Sequence, residues 1–437
     1  MKFLSIAAVA ASALSSAGGL VAAAPLSVVV EASKFEISVL GGATLKIPQV
    51  YNKGFIQVHR GPRALAKAYA KFGVQIPDEL QQLLLEILAE LGVNVKTNQT
   101  TNAGQGEVAA LPQMFDTEYL AAVQIGTPAQ TLMLDFDTGS SDLWVFSSDT
   151  PRTQQSGQKI YNVSQSSTAQ KVDNAVWSIR YGDGSGASGI VYTDTVSIGG
   201  VTVTDQAVES ASQVSGSFTN NSASSGLLGL GFDSINQVVP QAQKTFFSNA
   251  METLAMPLFT ANLKQAEAGN YNFGFIDSTE FTGPITFVPV NNTQGFWGFD
   301  AQGFQVGDSA PVTLAHEAIA DTGTTLLLMP DDIVEAYYAQ VTSAQNNVQV
   351  GGYVFDCSET LPSFTASIGG YSAVIPGDII KFAPADTDSF DTAQICFGGI
   401  QSSAGLPFAI YGDIFLKSQF VVFHGGENQL GFAAKPL

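Results

Sequence analysis

Two short segments of this 437-residue chain set an aspartate in nearly the same surroundings. One reads Leu134-Asp135-Phe136-Asp137-Thr138-Gly139-Ser140-Ser141, the other Ala318-Ile319-Ala320-Asp321-Thr322-Gly323-Thr324-Thr325. In each, an apolar run reaches an aspartate, then Thr-Gly, then two hydroxyl residues. A single Asp-Thr-Gly arises by accident in about one chain of this length in ten. Two copies 184 residues apart, with matching flanks, do not arise easily by chance. Two carboxylates held against each other resist double ionisation and share a proton, so the pair can act as acid and base together. One aspartate from each half of a duplicated unit is an economical way to build that pair. Asp137 and Asp321 are therefore the candidate catalytic residues.

Other chemistries find little material. His316-Glu317 begins a zinc-binding helix pattern, but Ala320 stands where the second histidine would be needed. There is no Gly-x-Ser-x-Gly elbow, and only His316 and His424 lie beyond position 100 to serve a triad. No phosphate loop is present, and no metal or cofactor is expected. A pair of aspartates could also serve a glycosidase, but the duplicated Thr-Gly flanks would then go unexplained.

The elements around the motifs are short apolar or alternating runs broken by Gly, Ser, Asn and Asp, such as 190–198 and 420–423. They predict an all-β chain. Helix signals are confined to 330–343, 244–254 and a Leu-rich stretch over 76–92 with a Pro-Asp start and a Gly stop. Because the motif recurs at half the length of the region beyond 100, that region should form two similar β lobes with a cleft between them.

Charge divides the chain where composition does. Over 25–100, eight Lys/Arg face six acids, a net of +2; beyond 100, nine face 32, a net of −23. The Thr/Asn/Gly-rich stretch 96–104 marks the same boundary. An acidic body repels nucleic-acid phosphates, which excludes that partner class. In acid its carboxylates neutralise, and so few Lys and Arg remain that self-repulsion stays small. This favours acid tolerance.

The start, Met1-Lys2-Phe3-Leu4 followed by an Ala-rich apolar run and small residues at Val21-Ala22-Ala23-Ala24, reads as a signal peptide over 1–23. No other segment is long and apolar enough to span a bilayer. A secreted, extracellular product is expected, with 24–102 as a removable pro-segment, 103–285 as the N-terminal lobe and 286–437 as the C-terminal lobe. Cys357 and Cys396 most simply form one disulfide. Sequons at Asn98, Asn162, Asn220 and Asn291 are glycosylation candidates.

Beyond the two triplets, several stretches resemble the pepsin-like aspartic proteases. They are Trp144-Val145 after the first motif, Trp177-Ser178-Ile179-Arg180-Tyr181-Gly182-Asp183-Gly184-Ser185, Gly226-Leu227-Leu228-Gly229-Leu230-Gly231, and Ile410-Tyr411-Gly412-Asp413. Val123-Gln124-Ile125-Gly126-Thr127-Pro128, Tyr271-Asn272-Phe273-Gly274-Phe275-Ile276-Asp277 and Gly398-Gly399-Ile400-Gln401 are most similar to secreted fungal members of the endothiapepsin and aspergillopepsin type. The similarity runs over about 115–437.

The resemblance implies an acid endopeptidase acting on polypeptides, monomeric, in which a water lies between Asp137 and Asp321. It implies that Thr138 and Thr322 cross-link the two loops, that Gly139 and Gly323 permit close turns, and that Ser140 and Thr324 hydrogen-bond the outer carboxylate oxygens. Asp135, on the same strand face as Asp137, would line the cleft near the residue preceding the scissile bond (P1). Tyr181, Gly182 and Asp183 would form a flap that closes over substrate, with Tyr181 leaning on Trp144. An acid at Asp183 implies hydrophobic P1 with some Lys tolerance. The pro-segment would act as an intramolecular inhibitor released in acid, with Lys71, or alternatively Lys96, reaching the aspartate pair. The alternative from another class is a catalytically silent binding or inhibitor protein of the same fold; the intact pair of motifs argues against it.

Overall fold

The computed structural model describes residues 27–31, 34–38, 104–181, 185–347, 352–387 and 389–437. The chain separates into two compact units, Met1–Thr100 and Thr101–Leu437. In the first, the strands Ser27–Glu31 and Lys34–Ser38 pair antiparallel; the helix expected over 76–92 lies outside the described residues, as do Lys71 and Lys96.

Strands dominate the second unit, as the alternating runs predict. The stretch 190–198 ends the strand Gly186–Ile198, and 420–423 lies within Gln419–His424. The helix expected over 330–343 is shorter, Asp331–Tyr338, with Ile333, Val334, Tyr337 and Tyr338 as its buried stripe. Over 244–254 the chain forms Phe246–Ala250 and then a 3-10 turn, Met251–Thr253, with the Thr245 hydroxyl accepting from Ser248 N at 3.1 Å. Gly216–Asn220, Gly377–Ile380 and Asp413–Leu416 were not foreseen. Four or five residues are too few to show a helical period.

The two halves repeat one arrangement. Gln130–Asp137 runs parallel to Gly226–Gly229, with Asp137 opposite Gly229, and Gly226–Gly229 runs antiparallel to Leu143–Phe146. In the second half Val312–Ala320 runs parallel to Ala409–Tyr411, which runs antiparallel to Leu327–Met329. Each motif therefore leaves the end of a strand flanked by neighbours on both sides, and its last residues before the aspartate are buried. The halves are joined by a run of neighbouring strands, Gly106–Pro112, Glu267–Phe273, Leu258–Lys264, Gln419–His424, Gln429–Ala434 and Thr282–Pro289. Position 285/286 falls inside the last of these. Phe259 and Phe423 stack across this junction at 4.6 Å, and Trp297 donates its indole N–H to Leu230 O at 2.8 Å. Cys357 and Cys396 form a disulfide across 39 residues. By chain entropy such a loop is worth about 4 kcal/mol. Among the sequons, Asn220 and Asn291 are exposed and Asn162 is half-buried; Asn98 lies outside the described residues.

The segment after the first motif rests on a second pair of carboxyls. Glu209 comes from the middle of Val201–Val214, beside Trp144, and is buried together with Asp142. Asn236 Nδ2 donates to Ser141 O (3.1 Å), Asp142 Oδ1 (3.2 Å) and Glu209 Oε1 (3.0 Å), and Gln237 N donates to Asp142 Oδ1 at 2.8 Å. The other oxygens, Asp142 Oδ2 and Glu209 Oε2, are buried without a partner among the described residues, and a proton shared between the two carboxyls would satisfy them. Burial pushes Asp142 up to about 6 and, with the Asp142 charge beside it, holds Glu209 well above the usual range. The Tyr181 hydroxyl also feels the charges of this pair.

A carboxyl whose folded pKa is raised stabilises below its unfolded value and loses that contribution as pH rises through the folded one. For this pair the loss runs from about pH 4 through the Asp142 value of about 6. Glu209→Gln should therefore move the upper midpoint of pH-induced unfolding upward, by about half a unit or more. Far-UV circular dichroism against pH checks it, with Asp142→Asn as the companion variant. An unchanged midpoint in both would remove the pair from the pH response.

Candidate active site

Both Asp-Thr-Gly segments begin where a buried strand ends, and they meet through their threonines. Thr322 Oγ1 accepts from Thr138 N at 3.1 Å and donates to Phe136 O at 2.5 Å. Thr138 Oγ1 accepts from Thr322 N at 3.0 Å and donates to Ala320 O at 2.8 Å. Each hydroxyl thus spends its donor and one acceptor on the opposite loop, in a region closed to solvent. A buried hydrogen bond contributes about 1 kcal/mol net, and leaving its partners unsatisfied costs more. The lock is therefore worth several kcal/mol and admits little slack.

The lock sets the two carboxylates face to face. Gly139 N donates to Asp137 Oδ1 at 2.8 Å and Ser140 Oγ to Oδ2 at 2.5 Å; Gly323 N donates to Asp321 Oδ1 at 2.9 Å and Thr324 Oγ1 to Oδ2 at 2.6 Å. The glycines are required by the opposite aspartate more than by their own turn. A Cβ at Gly139 would lie 2.6 Å from Asp321 Oδ1, and one at Gly323 would run into Asp137 Oδ1. Each carboxylate rests over the other loop's glycine. Burial pushes Asp137 up to about 8, the Asp321 charge adds to this, and the Ser140 and Gly139 hydrogen bonds hold it back. The pair therefore retains a proton far above the ordinary carboxyl range.

Around the pair lie further buried acids, of which the sequence reading singled out Asp135 alone. Asp135 is buried, and burial, Glu118 and the pair itself hold its carboxyl well above the usual range. Glu118 is likewise raised by burial and accepts from Asn221 Nδ2 at 2.7 Å. Asp413, at the start of its one-turn helix, is fully buried and raised by burial and then by Asp135, while Lys417 pulls the other way. Lys417 itself pairs with Asp116 Oδ2 at 2.9 Å in the interior. One signal was available for such residues. Glu209 in Ala207-Val208-Glu209-Ser210-Ala211 and Asp413 before Ile414-Phe415-Leu416 are acids at positions patterned for the core.

The hairpin of Gln170–Arg180 and Gly186–Ile198 is closed by Tyr181 N donating to Ser185 O at 2.9 Å. Trp144 Nε1 donates to the Tyr181 hydroxyl at 2.8 Å, and Phe218 meets both rings edge-on, at 4.9 Å from Trp144 and 5.6 Å from Tyr181. Gly182 and Asp183 lie outside the described residues. Asp135, Asp137, Thr138, Gly139, Ser140, Asp321, Thr322, Gly323 and Thr324 thus converge, with Trp144 and Tyr181 beside them. Asn162 and Asn291 make local contacts with Ser164 and Thr293. Cys357 and Cys396 are held in their own sheet, where Cys396 lies opposite Phe355.

Comparison with known proteins agrees with this geometry. The family model for eukaryotic aspartyl proteases matches residues 118–435. The chain is 50% identical over 398 residues to endothiapepsin of Cryphonectria parasitica, covering 91% of both sequences. It is 51% identical over 348 residues to penicillopepsin-1 of Penicillium rubens, covering 80% of this chain and 86% of that one. It is 48% identical over 372 residues to aspergillopepsin-1 of one Aspergillus fumigatus strain, covering 85% and 87%. Among solved structures, an aspartic proteinase from Irpex lacteus shares the fold with a TM-score of 0.63 at 24% identity, covering 76% of this chain and 98% of that one. The chain belongs to the pepsin-like eukaryotic aspartyl protease family and is an aspartic endopeptidase, a hydrolase of peptide bonds.

Proposed function

We propose that Asp137 and Asp321 hydrolyse peptide bonds through a water held between them. One carboxylate takes a proton from the water as it attacks the carbonyl. The other, protonated, donates to the carbonyl oxygen and then helps the amine leave. The observation that carries this reading is the reciprocal threonine lock that sets each carboxylate over the other loop's glycine. Ser140 and Thr324 hold the outer oxygens, Asp135 lines the cleft, and Tyr181 with Gly182 and Asp183 closes over an extended substrate. Asp137→Asn and Asp321→Asn should each lower kcat by about four orders of magnitude or more, because an amide cannot shuttle the proton. Cleavage of a denatured protein at about pH 4 checks this, with circular dichroism to confirm folding. Substantial activity in either variant would defeat the assignment and favour a silent binding protein.

Specificity is assigned to hydrophobic P1 residues with Lys tolerated through Asp183. Asp183→Ser should then reduce kcat/KM after Lys about tenfold more than after Leu or Phe. Equal losses on matched peptides would exclude that role.

The protein is read as a secreted monomer, exported by 1–23, carrying N-glycans and made as a zymogen with 24–102 as its inhibitor. The support is the charge division: a +2 segment beside a −23 body is held by ionised carboxylates and released as they protonate. Lys71→Met in the precursor should process prematurely near pH 6, followed by gel electrophoresis over time. Unchanged latency would pass the role to Lys96 or to neither.

A further inference from the structure

A cavity of about 210 Å³ opens beside the second motif, walled by Phe296, Ile319 and Phe408, with Asp300 and Glu317 among its lining residues. Its floor belongs to the strand that ends at the aspartate pair. Ile319 precedes Asp321 by two residues, which places the floor within about 7 Å of it along the strand. An extended substrate advances at the same rate, so the cavity lies within about two substrate residues of the scissile bond. Phe296 and Phe408 meet edge-on at 5.4 Å and form an apolar wall.

The two acids are set in an unusual relation. Asp300 on Gly298–Val306 lies directly opposite Glu317 on Val312–Ala320, in register on adjacent antiparallel strands. Like charges directly opposed across a pair of strands are destabilising. Both are exposed, and among the described residues neither is in an ion pair. Nor are they structural acceptors like Asp142 or Glu118, since no hydrogen bond is recorded to either carboxylate among the described residues. A cation placed between them would remove the repulsion.

Apolar walls with a doubly acidic rim match one kind of side chain. Lys and Arg carry a long aliphatic stem that packs on apolar surface and a charged head that stays at the edge. We propose that Asp300 and Glu317 are specificity-determining residues that hold the cationic head of a substrate Lys or Arg, with the stem against Phe296, Ile319 and Phe408. This rests on the endopeptidase reading above and adds a substrate class to it. It names residues other than Asp183, and the experiment below tells the two assignments apart.

The test uses fluorogenic peptides carrying Lys or norleucine at each position from three before to three after the cleaved bond. Norleucine keeps the stem and removes the charge. For the mature enzyme, one position near the cleaved bond should favour Lys over norleucine about three- to tenfold in kcat/KM. The Asp300→Asn/Glu317→Gln variant should bring the ratio at that position to about one, and Glu317→Lys should reverse it. Asp183→Ser should leave the ratio at that position intact.

Absence of any Lys preference in the wild type, or a preference that survives Asp300→Asn/Glu317→Gln, overturns the proposal. Cleavage of the norleucine peptides keeps the two readings apart. If they are cleaved and no Lys preference appears, the rim assignment alone fails. If no peptide is cleaved, the endopeptidase reading fails and takes this one with it.

Discussion

Two carboxyl groups must occupy one buried space, and they do not stay there unaided. Their mutual repulsion and the loss of water around them both favour separation or neutralisation. The threonine lock opposes the first, because Thr138 and Thr322 each bond twice to the other loop. A retained proton answers the second, as the rise of Asp137 to about 8 expresses. Much of the surrounding fold follows from holding these loops still. The parallel neighbours Gly226–Gly229 and Ala409–Tyr411 close the strand ends, and the strands shared between the halves keep the loops at a fixed separation.

The same physics extends beyond the pair. Asp135, Glu118, Asp142, Glu209 and Asp413 are all raised chiefly by burial. Most of the interior acids among the described residues are thus comfortable only while protonated or sharing a proton. In acid they cost little, and the sparse Lys and Arg beyond position 100 keep the cationic state from repelling itself. Above its raised pKa each becomes a buried charge with few cations to meet it; Lys417 beside Asp116 is one of the few interior cations. Acid tolerance and sensitivity to base are therefore two results of one choice of residues.

The sequence disclosed the chemistry better than its support. Asp137, Asp321 and their Thr-Gly partners were legible because the motif is duplicated and its residue types follow from the reaction. The sheet neighbours Gly226–Gly229 and Ala409–Tyr411 were legible by resemblance. Asn236 and Glu118 were not, because their roles depend on contacts such as Asn236 with Ser141, 95 residues apart in sequence. Alternation located Gly186–Ile198 and Gln419–His424, whereas one-turn helices such as Asp413–Leu416 carry no period to find. The helix Asp331–Tyr338 stopped short of 343 because the chain beyond it bonds to Glu359 instead: Thr342 N at 3.2 Å and Ser343 N at 2.6 Å.

A division of labour follows from where change is tolerated. At the floor, a methyl on Gly139 or Gly323 would displace a carboxylate, and loss of either threonine hydroxyl would orphan two buried partners. No side chain there is free to vary without cost to the reaction. At the rim, Asp300, Glu317 and the exposed edge of the loop carrying Leu406 are constrained by nothing comparable. Under the assignment proposed above, a substitution there alters which side chain is welcome while the aspartates keep their separation. Rigid chemistry beneath a permissive edge separates two tasks, because the residues proposed to choose the substrate are not the residues that hold the proton.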